Sequence, residues 1–97
     1  MQIIIHSVDE LGLVVRSVRR SSKVRLDDLA STAGVSKQFA SDVEHGKPTV
    51  QLGLVLKLLA ELGILLQLDI PQAAEQELGV LRLKGGVQAP KKRARTG

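Results

Sequence analysis

From Val8 to about Ser21 the apolar residues Leu11, Val14, Val15 and Val18 recur three and four positions apart, with Arg16, Arg19 and Arg20 on the other faces. That spacing predicts an amphipathic helix. Ser7, followed three positions on by Glu10, marks its start as a capping box: the hydroxyl meets a free helix amide and the carboxylate reaches back. Gln2–His6 (QIIIH) before it is a β-branched run and reads as a short strand. A second stripe, Leu29, Ala30 and Ala33 with Leu26 at its head, predicts a helix over 26–33. Asp27 and Asp28 in its first turn sit at the positive end of the helix dipole. Ala33-Gly34 then forms a small-residue elbow. Ser36 is placed to cap a third helix, which sends Ala40 and Val43 inward and ends at His45-Gly46.

The third helix carries Lys37, Gln38, Ser41 and Asp42 on its outward face. Two short helices about a tight turn, with one polar helix held clear of the core, make a unit suited to entering the DNA major groove.

After the Lys47-Pro48-Thr49 loop, Thr49 is expected to cap a fourth helix over Val50–Leu62. Leu52, Val55, Leu56, Leu59 and Leu62 are expected to face the core. Leu54 and Leu58 widen the apolar arc beyond what one chain needs, as a partner surface would. Gly63 ends the helix. Ile64–Ile70 (ILLQLDI) reads as a strand, Pro71 stops it, Gln72–Leu78 reads as a helical turn, and Gly79–Lys84 alternates like another short strand. A lone strand is unstable in water, so 64–70 is expected to pair. The expected organisation is an N-terminal strand over 1–7, a helical domain over 8–63, a dimerisation strand and extension over 64–84, and a basic disordered tail over 85–97. The fold class is mainly α, a bundle of four to five helices with a short β element.

Composition narrows the chemistry. The chain has 97 residues, enough for one small core. Phe39 is its one aromatic residue, with no Trp or Tyr, which argues against a single-strand binder that stacks bases on aromatic platforms. There is no cysteine, and His6 and His45 stand far apart, so no metal or other cofactor is expected. No apolar run reaches membrane-spanning length and no signal-peptide pattern is present, so a soluble cytoplasmic protein is expected. The net charge is +4, but Lys91, Lys92, Arg93 and Arg95 lie in the tail. Without them ten basic residues face ten acidic ones, so DNA affinity in the folded part rests on where charges are placed. No nucleophile–base pair, metal set or phosphate loop points to an enzyme.

LASTAGVSKQFASDVEHGK, through Leu29, Ala30, Gly34, Val35, Ser36, Ser41, Val43, Glu44, Gly46 and Lys47, resembles the helix-turn-helix of the Xre family of lambda-repressor-like proteins. The continuation KPTVQLGLVLKLLAELGILLQL, a helix ending in LG and then an apolar strand, resembles the HipB-type antitoxins. The two together cover roughly Leu11 to Ile70. The resemblance implies a dimeric repressor that reads a palindromic operator in double-stranded DNA, autoregulates its operon and restrains a HipA-type kinase toxin. It implies a DNA-facing set of Arg25, Ser36, Lys37, Gln38, Ser41, Asp42 and Lys47. Within that set Lys suits guanine, Gln suits adenine, and Ser suits a base or a phosphate. It implies a structural ion pair between Arg19 and Glu44, and a dimer interface of Leu54, Leu58, Ile64, Leu65, Leu66, Leu68 and Ile70. One departure stands out: where many members open the second helix with Thr-Gln, this chain has Arg25-Leu26, which removes a capping hydroxyl and leaves Arg25 to meet a phosphate. Two other functions fit the residues, a free-standing phage-type regulator without a toxin and a pure protein-interaction module.

Overall fold

The computed structural model describes residues 1–85. The expected basic tail lies outside them apart from Gly85. The described residues form five helices: α1 (Val8–Ser21), α2 (Leu26–Ala33), α3 (Lys37–Glu44), α4 (Leu52–Glu61) and α5 (Gln72–Leu83). No strand occurs among them. By contacts the chain forms two units, Met1–Leu66 and a second beginning at Gln67.

In the first unit α3 packs on both α1 and α2, and α4 packs on α2. The core is Val15 from α1, Leu29, Ala30 and Ala33 from α2, Ala40 and Val43 from α3, and Val55, Leu58 and Leu59 from α4. Small residues dominate the α2–α3 share, which lets those two short helices approach closely. Phe39 is half-buried against this core, filling space beside Ala40. The tightest approach is between α1 and the end of α3. Gly12 is buried, and a Cβ built on it would stand 2.5 Å from the Val43 carbonyl oxygen and 2.7 Å from that of Glu44. Gly46, at φ +78°, closes α3 in the left-handed region, and a Cβ there would collide with Asp9 at the start of α1. Both glycines therefore set how α1 rests on the end of α3.

The capping box forms with one change. Ser7 Oγ accepts from the Glu10 amide at 3.2 Å, while the Glu10 carboxylate accepts from the backbone N–H of His6, one residue before the expected donor.

Several expectations are corrected. Gly79–Lys84 is not a strand. The Ala, Glu, Gln and Leu residues of 73–78 favour helix, and a helix once nucleated continues through Val80–Leu83 because each added residue gains a backbone bond. The segments 2–6 and 64–70 carry no regular secondary structure, although a strand was expected in each. Helix α4 begins at Leu52 rather than Val50, with Gln51 and not Thr49 at its cap position and no side-chain capping bond. Finally, its faces are rotated from the expected ones. Leu58 is fully buried in the core and Leu54 half-buried, whereas Leu52 and Leu56 are 67% and 42% exposed. The stripe Val55, Leu58, Leu59 and Leu62 is the one that meets the core, on the side where α4 packs on α2. Ile64, expected at a partner surface, is half-buried against the same core, with its amide donating to the Leu59 carbonyl at 2.9 Å. Leu65, Leu66, Leu68 and Ile70 are exposed.

Candidate nucleic-acid interface

The turn between α2 and α3 is built by backbone chemistry. Gly34 takes φ +75°, and its amide donates to Ser31, while Val35 donates back to Ala30 at 3.0 Å, so the last carbonyls of α2 are satisfied as the chain reverses. Ser36 then accepts from the Phe39 amide at 3.0 Å and starts α3. Its hydroxyl is thereby committed to the cap.

With Ala40, Val43 and Glu44 buried, α3 turns Lys37 and Gln38 to solvent and leaves Ser41 and Asp42 half-buried at the edge of the same face. Those four positions are not independent. Gln38 Nε2 donates to Asp42 Oδ1 at 2.9 Å, and Asp42 Oδ2 lies 3.5 Å from Lys47 Nζ. Lys47 is also tied through its backbone amide to the Asp42 carbonyl at 3.0 Å. The acid that looked out of place among DNA-facing residues thus orients the Gln38 amide and holds Lys47 at the end of the helix. The His45 ring, through Nδ1, donates to the Ser41 carbonyl at 2.8 Å, so His45 sits over the last turn rather than in a metal set. No cluster able to hold a metal ion is found among the described residues.

Behind this face is the Arg19–Glu44 pair. Arg19 Nε and a terminal nitrogen meet the two Glu44 oxygens at 2.6 and 2.9 Å, and the other terminal nitrogen donates to the Val24 carbonyl at 2.9 Å. The Glu44 side chain is 3% exposed and that of Arg19 12%. The bidentate bond to Glu44 holds the Arg19 guanidinium above its ordinary pKa, against the opposing effect of burial. Arg16 adds a longer bond, 3.4 Å, to the Glu44 carbonyl. One arginine thus ties α1, the loop before α2 and the end of α3 together, which fixes the angle at which α3 projects.

Arg25 makes no capping bond, as its residue type led one to expect, and it has a partner within the chain. It stands at the α2 cap position with no side-chain capping bond, and its guanidinium pairs with Asp27 through Nε–Oδ1 at 3.2 Å and a second contact at 3.3 Å. Both groups are well exposed. The hydrogen bond raises the Arg25 pKa and lowers that of Asp27. The carboxylate, depressed in the folded state, contributes above the ordinary Asp range and loses that contribution as pH falls through its lowered value. Arg25 and Asp27 are two positions apart, a spacing that the helical pattern of α2 gave no reason to single out.

The fold defines a class: a lambda-repressor-like helix-turn-helix bundle whose third helix carries a polar outward face. Comparison with known proteins gives the family. An uncharacterised HTH-type transcriptional regulator, y4mF, of Sinorhizobium fredii (strain NBRC 101917 / NGR234) is 44% identical over 62 residues, which cover 64% of this chain and 82% of that one. The chain belongs to the helix-turn-helix transcriptional regulators, a DNA-binding and non-catalytic class. No family model matches it. Among solved structures, the HipA-HipB-O2-O3 complex and a HipB-O4 20mer complex each contain a chain matched at TM-score 0.67 and 21% identity, over 73% of this chain and 100% of that one. The clp gene regulator ClgR from C. glutamicum matches at TM-score 0.55 and 24% identity over 88% of this chain and all of its own. These likenesses are of fold. No helix among the described residues is long and apolar enough to cross a membrane.

Proposed function

We propose that this regulator is a cytoplasmic, dimeric repressor of the HipB type, which reads a palindromic operator upstream of its own gene and restrains a HipA-type kinase toxin. The observation that carries the DNA half is the linked polar face of α3, in which Gln38 is oriented by Asp42 and flanked by Lys37, Ser41 and Lys47. Gln38, with its Nε2 anchored, presents Oε1 and one remaining N–H, the pair that adenine N6 and N7 take. Lys37 serves a guanine edge or a phosphate, and Lys47 and Arg25 serve phosphates. Ser36 contributes through its cap, which positions the α3 amides. The matched fold of a HipB chain in a complex with HipA supports the toxin half, and the exposed apolar run Leu65, Leu66, Leu68 and Ile70 supports pairing with a second copy. A two-fold pair sets two α3 helices about one DNA turn apart.

Two measurements test this. Duplex selected from the region upstream of the gene should be bound at moderate salt in preference to random duplex, and equal binding to both would remove the repressor reading. Gln38→Ala is expected to cost about 1–3 kcal/mol on the selected site and to relax preference at one base position per half-site. Co-purification of a kinase-like protein from the adjacent gene tests the toxin half. If DNA binding is specific and no such partner co-purifies, the chain is a free-standing regulator.

Arg25 supplies a further expected result. Asp27 holds it as phosphate would, so the two compete. Asp27→Asn is expected to tighten binding to any duplex and to steepen its salt dependence by about one counterion. An unchanged salt slope would place Arg25 away from the backbone.

A further inference from the structure

Helix α5 carries a face that is partly exposed to solvent. Glu75, Leu78, Gly79 and Arg82 stand at helical spacing on one side and, with Ile70, line one open groove. Leu78 and Ile70 on that face are 38% and 45% exposed. The helix buries no residue at all among those described. Gly79 is the odd member. Glycine inside a helix is unfavourable relative to alanine. Its φ is not positive, and a Cβ built on it meets nothing within 4 Å, so neither the backbone nor packing within the chain requires glycine there. A missing Cβ with open space above it is what a closely approaching helix needs.

We propose that α5 docks onto α5 of a second copy, antiparallel, about a two-fold axis passing between Leu78 and Gly79. In that arrangement facing residues are equidistant from the axis. Leu78 of one copy seats over the partner subunit's Gly79, and Glu75 faces the partner subunit's Arg82, each contact occurring twice. The charges choose the orientation. A parallel pair would set Glu75 on Glu75 and Arg82 on Arg82, whereas the antiparallel pair makes two opposite-charge contacts and aligns the helix dipoles head to tail. The remaining charges, Glu77 and Lys84, are not members of this face. A 12-residue helix pair is a small interface by itself. It therefore adds to the pairing of 64–70 proposed above rather than replacing it. The inference goes beyond the repressor reading and needs neither DNA nor toxin.

Sedimentation equilibrium of the full chain without DNA tests it. Glu75→Arg and Arg82→Glu, each creating two like-charge contacts, are expected to raise the dimer Kd about tenfold. The double variant E75R/R82E is expected to return it to near the starting value, because the reversed charges again face each other. Gly79→Leu is expected to weaken the dimer although leucine favours helix. Far-ultraviolet circular dichroism of every variant should match the parent. Singles that leave the Kd unchanged, a double as weak as the singles, or a monomeric parent each overturn the proposal. A dimer that depends on Leu66 and Leu68 but ignores the α5 charges removes the α5 contact and leaves the repressor reading standing.

Discussion

Replacing Glu44 with Ala is expected to cost about 3 kcal/mol of stability and, in a domain of this size, roughly 12–24 °C in Tm. The cause is not the lost attraction as such. A buried ion pair often contributes little against an apolar pair of equal shape, but deleting one member leaves the other without its counter-charge in a site where water cannot compensate. Arg19 would lose both contacts made through Nε and one terminal nitrogen and keep the bond to Val24. Glu44→Gln retains one acceptor and the side-chain volume, so a smaller loss is expected. DNA binding should fall with the Ala variant even below its Tm, because the pair sets the projection of α3. Thermal melts and duplex titration at a temperature where both proteins are folded separate the two effects. A Glu44→Ala melt within about 2 °C of the parent would show that water reaches Arg19 and that the clamp is superficial.

Gly12→Ala should be the next most damaging change, and here two effects oppose each other. Alanine in place of a helical glycine favours α1 by about 1 kcal/mol. Against that, its methyl group would stand 2.5 and 2.7 Å from two carbonyl oxygens of the α3 backbone. These are main-chain atoms, so no side chain can rotate aside. Either α1 lifts from α3 or the end of α3 shifts, and such overpacking costs about 1–3 kcal/mol or more. The clash is with backbone at two points, so the upper part of that range applies, and a net loss of about 2 kcal/mol is expected. The displaced element carries the polar face, so affinity for duplex should drop together with stability. A urea melt checks the sign: a variant more stable than the parent would mean that α1 is free to move, and that the α1–α3 contact is not what positions α3.

Much of the helix-turn-helix is legible in the chain itself, because its signals are local. The bounds of α1 and α2, the Ser36 cap and the Gly34 turn follow from spacing and from residues whose backbone preferences are strong at one position. The link between Gln38 and Asp42 is also local, four residues apart on one helix face, though only the geometry chose it over a bond to Lys37. The second half was harder to read. In α4, leucine at five of ten positions, spread over several faces, gives little contrast between them, so which stripe is buried depends on the angle at which α2 meets it. Leu58 went into the core and Leu52 out for that reason. Residues 80–84 alternate just enough to suggest a strand, yet they follow helix formers, and the cooperativity of a helix outweighed a short local pattern.

By itself the sequence determined the elements of the helix-turn-helix and the polar residues on its outward helix, since helical periodicity, caps and left-handed glycines act over a few residues. Tertiary structure alone decided that Gly12 is a contact point rather than a weak helix position and that Arg25 is held by Asp27. It also decided that the Arg19–Glu44 pair, which the family resemblance had implied, is bidentate, buried and tied to the Val24 carbonyl. Each of these depends on a close approach in three dimensions, between residues as far apart in sequence as Arg19 and Glu44, and no local propensity encodes such a distance.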